Sequence, residues 1–134
     1  DCIDYHLLIN RIEYIADHIT TVAESFVELY QYKDQVYEPG MEVIIDALSK
    51  SFEYYDKAVE GFFEGALGDT GNIIDYASRS KLIDEGLRDL PHLNDAESRI
   101  VILCHSIMDE VGYIGNICAD IAEITIDRHF KQPQ

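Results

Sequence analysis

The sequence predicts an all-α protein, an up-and-down antiparallel bundle of four helices, three of them long. Apolar residues recur at steps of three and four through most of the 134 positions, the period of an amphipathic helix. No stretch alternates apolar and polar residues as a half-buried strand would. Turn chemistry interrupts the rhythm at Glu38-Pro39-Gly40, at Gly68-Asp69-Thr70-Gly71-Asn72 and around Pro91. Such short connections place sequence neighbours side by side in antiparallel pairs.

The first helix is expected from about Ile3 to Val36, with Leu7, Leu8, Ile12, Ile15, Ile19, Val22, Phe26, Leu29 and Tyr30 among its apolar positions. Asp4 stands near its start, toward the apolar side, where an acid interacts well with the helix dipole. Glu38-Pro39-Gly40 is read as the break that ends it. The second helix follows from about Met41 to Leu67 on the same rhythm, from Val43 and Ile44 through Phe62 and Phe63. The third, about Ile73 to Arg88, is shorter and its pattern weaker. The fourth opens on Asn94-Asp95-Ala96-Glu97, with Asn94 as cap and Glu97 where a capping box places its acid, and runs to about His129.

A length of 134 residues is one domain with room for one core, and 47% apolar residues argue against disorder. The 26 acids against 10 Lys plus Arg give a formal charge of −16. That surface repels nucleic acid and anionic lipid and attracts cations, metal ions and basic protein patches. Three cysteines without paired spacing are no disulfide framework; Cys104 and Cys118, on an apolar face, read as small buried hydrophobes of a reducing compartment. No run of about 18 uninterrupted apolar residues is present, so membrane insertion is not expected.

The first and last helices look like two copies of one element at an offset of 99 residues. His6 falls on His105, Tyr14 on Tyr113, Ile15 on Ile114, Val22 on Ile121, Ala23 on Ala122 and Glu24 on Glu123. Glu13 and Asp17 are the candidate metal ligands. They stand four apart, so their side chains emerge one above the other on the polar face. The mutual repulsion costs about 0.2–0.5 kcal/mol, and a bound cation would reverse its sign. In the last helix Gly112 replaces the glutamate and Asn116 the aspartate, so the second copy has fewer donors. A polar stripe on an amphipathic helix is also what an ordinary solvated face looks like, and that is the reading given to the acids of the second helix, Glu42, Asp46, Glu53, Asp56, Glu60 and Glu64.

The segment DCIDYHLLINRIEYIADHITTVAE resembles the signature helix of the PhoU family of phosphate-transport regulators, in archaeal-type members or a fragment of one. That signature has an E-R-I-G-D-H-A-like segment followed by I-A-E. Here Glu13-Tyr14-Ile15-Ala16-Asp17-His18 and Val22-Ala23-Glu24 stand in those places, with Tyr14 where arginine is common and Ala16 where glycine is. GYIGNICADIAE in the last helix is similar, with its acids lost. The resemblance implies a PhoU-like helical domain over residues 1–134. Residues 1–36 would correspond to the last helix of a first three-helix repeat, and residues 40–130 to a second repeat. It also implies iron or another divalent metal clustered on the bundle surface, held by Glu13 and Asp17.

The expected function is therefore that of a cytoplasmic, non-enzymatic, metal-binding adaptor in phosphate uptake and phosphate homeostasis. Its partners by resemblance are a phosphate transporter's ATPase component and a sensor kinase, with no direct nucleic-acid contact; a homodimer is compatible with such a bundle. One alternative is a plain helical interaction or oligomerisation module without metal. Another is a carboxylate-bridged di-metal enzyme, which wants a Glu-x-x-His on each of two helices facing inward; this sequence has none.

Overall fold

The computed structural model describes residues 2–36, 38–87 and 95–131. They form four helices, α1 (Cys2–Tyr30), α2 (Glu38–Glu64), α3 (Thr70–Leu87) and α4 (Asp95–Lys131), and no strand among the described residues. This is the all-α bundle the periodicity predicts.

The helix ends differ from the sequence reading, each for a local reason. α1 stops at Tyr30 rather than Val36, because the chain tightens into i to i+3 bonds: the amides of Tyr32, Lys33 and Gln35 donate to the carbonyls of Leu29, Tyr30 and Tyr32. Glu38-Pro39-Gly40 does not lie between helices; it is the first turn of α2. Proline suits that position, since its missing amide is one of the four that a helix start leaves unpaired anyway. α2 ends at Glu64, three residues early, on Gly65 in the left-handed region at φ 66°. The Ala66 amide then bonds back to the Gly61 carbonyl at 3.0 Å, a Schellman closure that only a residue without Cβ adopts at low cost. α3 starts at Thr70, earlier than expected, with the Ile73 amide on the Asp69 carbonyl. The proposed cap at Asn94 and the turn at Pro91 lie outside the described residues.

α4 is the axis of the fold. It packs against α1, α2 and α3, while α2 touches α3 and no Cα of α1 lies within 8 Å of α2 or α3 among the described residues. Contacts along the chain fix the directions. Tyr5 meets Phe62 at one end of α1 and α2, and Phe26 lies near Met41 at the other, so those two run antiparallel across a gap. Arg11 pairs with Asp120 and Glu28 with Arg99, so α1 is antiparallel to α4. The short-connection rule thus gives the right direction for α1 but the wrong neighbour: its backbone partner is α4.

The core has two parts. One gathers Leu8, Ile15, Phe62, Ile73, Ile114, Cys118 and Ile121; the other gathers Val22, Leu29, Ile44, Leu103, Ile107 and Met108. By length and composition alone, α4 from Glu97 to Lys131 is apolar enough to cross a membrane, although charged and polar residues interrupt it. That apolarity serves packing: Ile107, Val111, Ile114, Cys118 and Ile121 are all fully buried, as expected of a helix with neighbours on three sides.

Candidate functional site

α1 carries two kinds of surface, and only one of them builds the bundle. Leu8, Ile15, Val22 and Leu29, spaced by seven, are buried against the core. This is the seam spacing of packed helices. The offset of 99 maps the first three onto Ile107, Ile114 and Ile121 of α4, also buried. The two copies therefore present equivalent columns to the same core. Tyr14 and Tyr113, the matched tyrosines, are equally exposed at 51%.

Beside the apolar column runs a polar one, also spaced by seven: Asp4, Arg11, His18 and Ser25. Asp4 and Ser25 are buried. Arg11 Nε lies 3.2 Å from Asp120 Oδ2, buried but off the line of a hydrogen bond. His18 Nδ1 pairs with Glu110 Oε2, and its ring stacks on Tyr113 at 5.2 Å. Ser25 and Ser106 hydroxyls are 3.4 Å apart, and Arg99 Nε donates to Glu28 Oε1 at 2.6 Å. Polar partners that match in only one register fix how α1 slides on α4. This column is a structural seam, and the sequence reading missed it; the seven-residue spacing of Asp4, Arg11, His18 and Ser25 was the available signal.

Glu13 and Asp17 stand on the opposite side of α1, exposed; Tyr14 is exposed beside the seam, with the Arg11 guanidinium 5.8 Å from its ring centre. Glu13 and Asp17 are one turn apart on the same exposed face of α1. Among the described residues no group of three or more His, Cys, Asp or Glu converges as a ligand set. His6 is exposed and His105 half-buried, so the two are set differently despite their match in the repeat. The acids of α2 are exposed too, and Asp46 and Glu53 pair with Lys50 and Lys57 one turn on. Gly112 and Asn116 are half-buried on α4.

The thiols are placed for packing. Cys118 is fully buried, and burial pushes its thiol up to about 12; burial also pushes Cys104 up. The thiolate is the reactive form, so both are poor nucleophiles. Tyr76 and Ser51 join α3 to α2 through a 2.8 Å hydrogen bond, and Tyr76 stacks on Tyr54 at 4.1 Å. These tyrosines are packing residues.

An open cavity of about 520 Å³ lies where α1 ends and α2 begins, with Phe26, Leu29, Tyr30, Met41 and Ile45 in its walls. Its lining is mostly apolar. Lys33 and Glu42 supply the charge at its edge, with the Lys33 ammonium 5.1 Å from the Tyr30 ring. No protein-family model matches this chain, and neither a curated protein nor a solved structure matches it.

Proposed function

We propose that this chain is a non-enzymatic cytoplasmic adaptor that regulates phosphate uptake and phosphate homeostasis. It docks on a phosphate transporter's ATPase component and a sensor kinase, with Glu13 and Asp17 as ligands of iron or another divalent metal. One observation carries the reading. Of the α1 residues that resemble the phosphate-regulator signature, Glu13 and Asp17 are exposed on the side of the helix away from the core. The fold is built by a different side of the same helix, so this pair is free to meet an ion or a protein. The −16 charge favours basic partner surfaces and speeds encounter with them.

A plain interaction module without metal is the second reading, and Gly112 favours it, since the repeated element has no side chain where α1 has Glu13. Elemental analysis of the purified chain beside Glu13→Gln/Asp17→Asn separates the two. Metal that co-purifies with the parent and is lost from the variant supports the adaptor with its ion. Background metal in both removes the ion. A phosphate-starvation reporter then tests the regulatory claim: the parent chain is expected to restrain it, and no effect on the reporter sinks that claim.

A further inference from the structure

We infer that the cleft between α1 and α2 is a receptor for a basic amphipathic helix of a partner protein. The inference rests on the adaptor reading and names the chemistry of what docks. Each wall of the cleft is an apolar ladder at helical spacing. On α1, Ile9, Ile12, Ala16, Ile19 and Ala23 repeat at steps of three and four. On α2, Ile45, Leu48, Phe52, Tyr55 and Val59 do the same. Ile12, Leu48, Tyr55 and Val59 lean inward on the core; Ile9, Ala16, Ile19 and Ala23 of α1 and Ile45 and Phe52 of α2 are the exposed part of these flanks. On antiparallel helices both flanks turn toward the same gap.

The two backbones stay apart: among the described residues no Cα of α1 comes within 8 Å of α2, and side chains close the ends, Tyr5 on Phe62 and Phe63 at one and the walls of the 520 Å³ cavity at the other. Between them Ile9 is 53% exposed, Ile45 54%, Phe52 40% and Ile19 38%. Two exposed apolar edges over a common core form a shallow groove that accepts the apolar stripe of a third helix, as in other helix-in-groove recognition.

Charge specifies that helix. One step further out the flanks are acidic: Glu13, Asp17 and Glu24 follow ladder positions on α1, Asp56 and Glu60 do so on α2, and Glu64 continues that line. All six are exposed, and none forms an ion pair among the described residues. An apolar floor between two acidic rims selects a helix with Leu or Ile on one stripe and Lys or Arg on both flanks. The same rims repel a second copy of this chain, so self-association is not the expected occupant.

The test is fluorescence anisotropy of the 134-residue chain with three labelled 25-residue peptides. The first is amphipathic with Lys and Arg flanks. The second has the same composition in scrambled order, and the third keeps the apolar stripe but carries Glu flanks. The first is expected to bind at least about tenfold tighter than either other peptide. Ile19→Ser/Phe52→Ser should weaken it roughly tenfold, with helix content unchanged because both residues are surface-exposed. Glu24→Lys/Glu60→Lys leaves the apolar walls and the Glu13–Asp17 pair intact, and should shift preference toward the Glu-flanked peptide. Equal binding of the scrambled peptide overturns the inference, as does absence of binding. So does a dimer in sedimentation that Ile19→Ser/Phe52→Ser dissociates, which would make the occupant a second copy. Failure here leaves the phosphate-reporter result untouched, and failure of the reporter leaves peptide binding untouched, so the two readings fall separately.

Discussion

The two ends of the bundle are built differently. At the end where α1 begins and α2 ends, Phe62 is fully buried, with Tyr5 edge-on at 5.3 Å and Ile73 of α3 in the same cluster. Arg128 closes it: Nη1 donates to the Phe62 carbonyl at 3.2 Å, and the guanidinium lies 4.7 Å and 4.9 Å from the Phe62 and Tyr5 ring centres. That carbonyl is one of the last four of α2, which have no partner within their own helix. At the other end, α1 gives way to turns, the 520 Å³ cavity opens, and Tyr30 and Ile45 are mostly exposed. At one end aromatic rings and a guanidinium close over the core; at the other an open cavity borders it, and substitutions should report the difference.

The largest expected effect is Phe62→Ala, which removes a fully buried ring at the closed end and should cost about 3–5 kcal/mol in denaturant unfolding. The matching change at the open end, Ile45→Ala, should cost about 0.5–1 kcal/mol, because half of that side chain is already in water. Equal losses would erase the distinction between the ends.

Alkaline pH probes the closed end next. Cys118 is held up to about 12 in the folded chain against an ordinary 9.0, so from pH 9 upward the unfolded state ionises first. Stability is fully present below pH 9 and falls by up to about 1.4 kcal/mol per pH unit toward pH 12. The midpoint of urea unfolding measured from pH 8 to 11 should drop, and Cys118→Ala should flatten the slope. A slope unchanged in the variant would assign the loss to other groups, such as Tyr76, which burial also raises.

Arg128→Met follows at about 1–2 kcal/mol, the loss of one hydrogen bond to a helix-end carbonyl and of stacking on two rings. Thermal unfolding of the variant should show it, and a neutral result would mean that the guanidinium contributes geometry without stability. The smallest effect is the most informative for function. Glu13→Gln/Asp17→Asn relieves a like-charge pair and should raise Tm by roughly 1 °C in chelator-treated protein. If the pair holds an ion, the sign inverts when metal is present, since only the parent then gains from binding.

Much of this architecture is legible in the sequence, and the gaps have physical causes. The apolar positions of α1 mark it as a helix, and Leu8, Ile15, Val22 and Leu29 are among them. So are Ile3, Leu7, Ile19 and Tyr30, which are exposed. Periodicity gives an apolar arc; it does not divide that arc between a packed column and an open ladder. His18 reads as one more polar residue of a signature, yet its stack on Tyr113 and its pairing with Glu110 depend on a residue 92 positions away.

The sequence by itself determined the helices, their order and the outward Glu13–Asp17 pair, because all of these follow from i to i+4 geometry within one segment. Tertiary structure alone decided that α4 is the central helix, that α1 leans on it through a polar seam, and that the α1 and α2 backbones stay apart. Those outcomes depend on which of several apolar flanks finds a partner first and most completely. That choice is made by the packing of all four helices together, and no single helix encodes it.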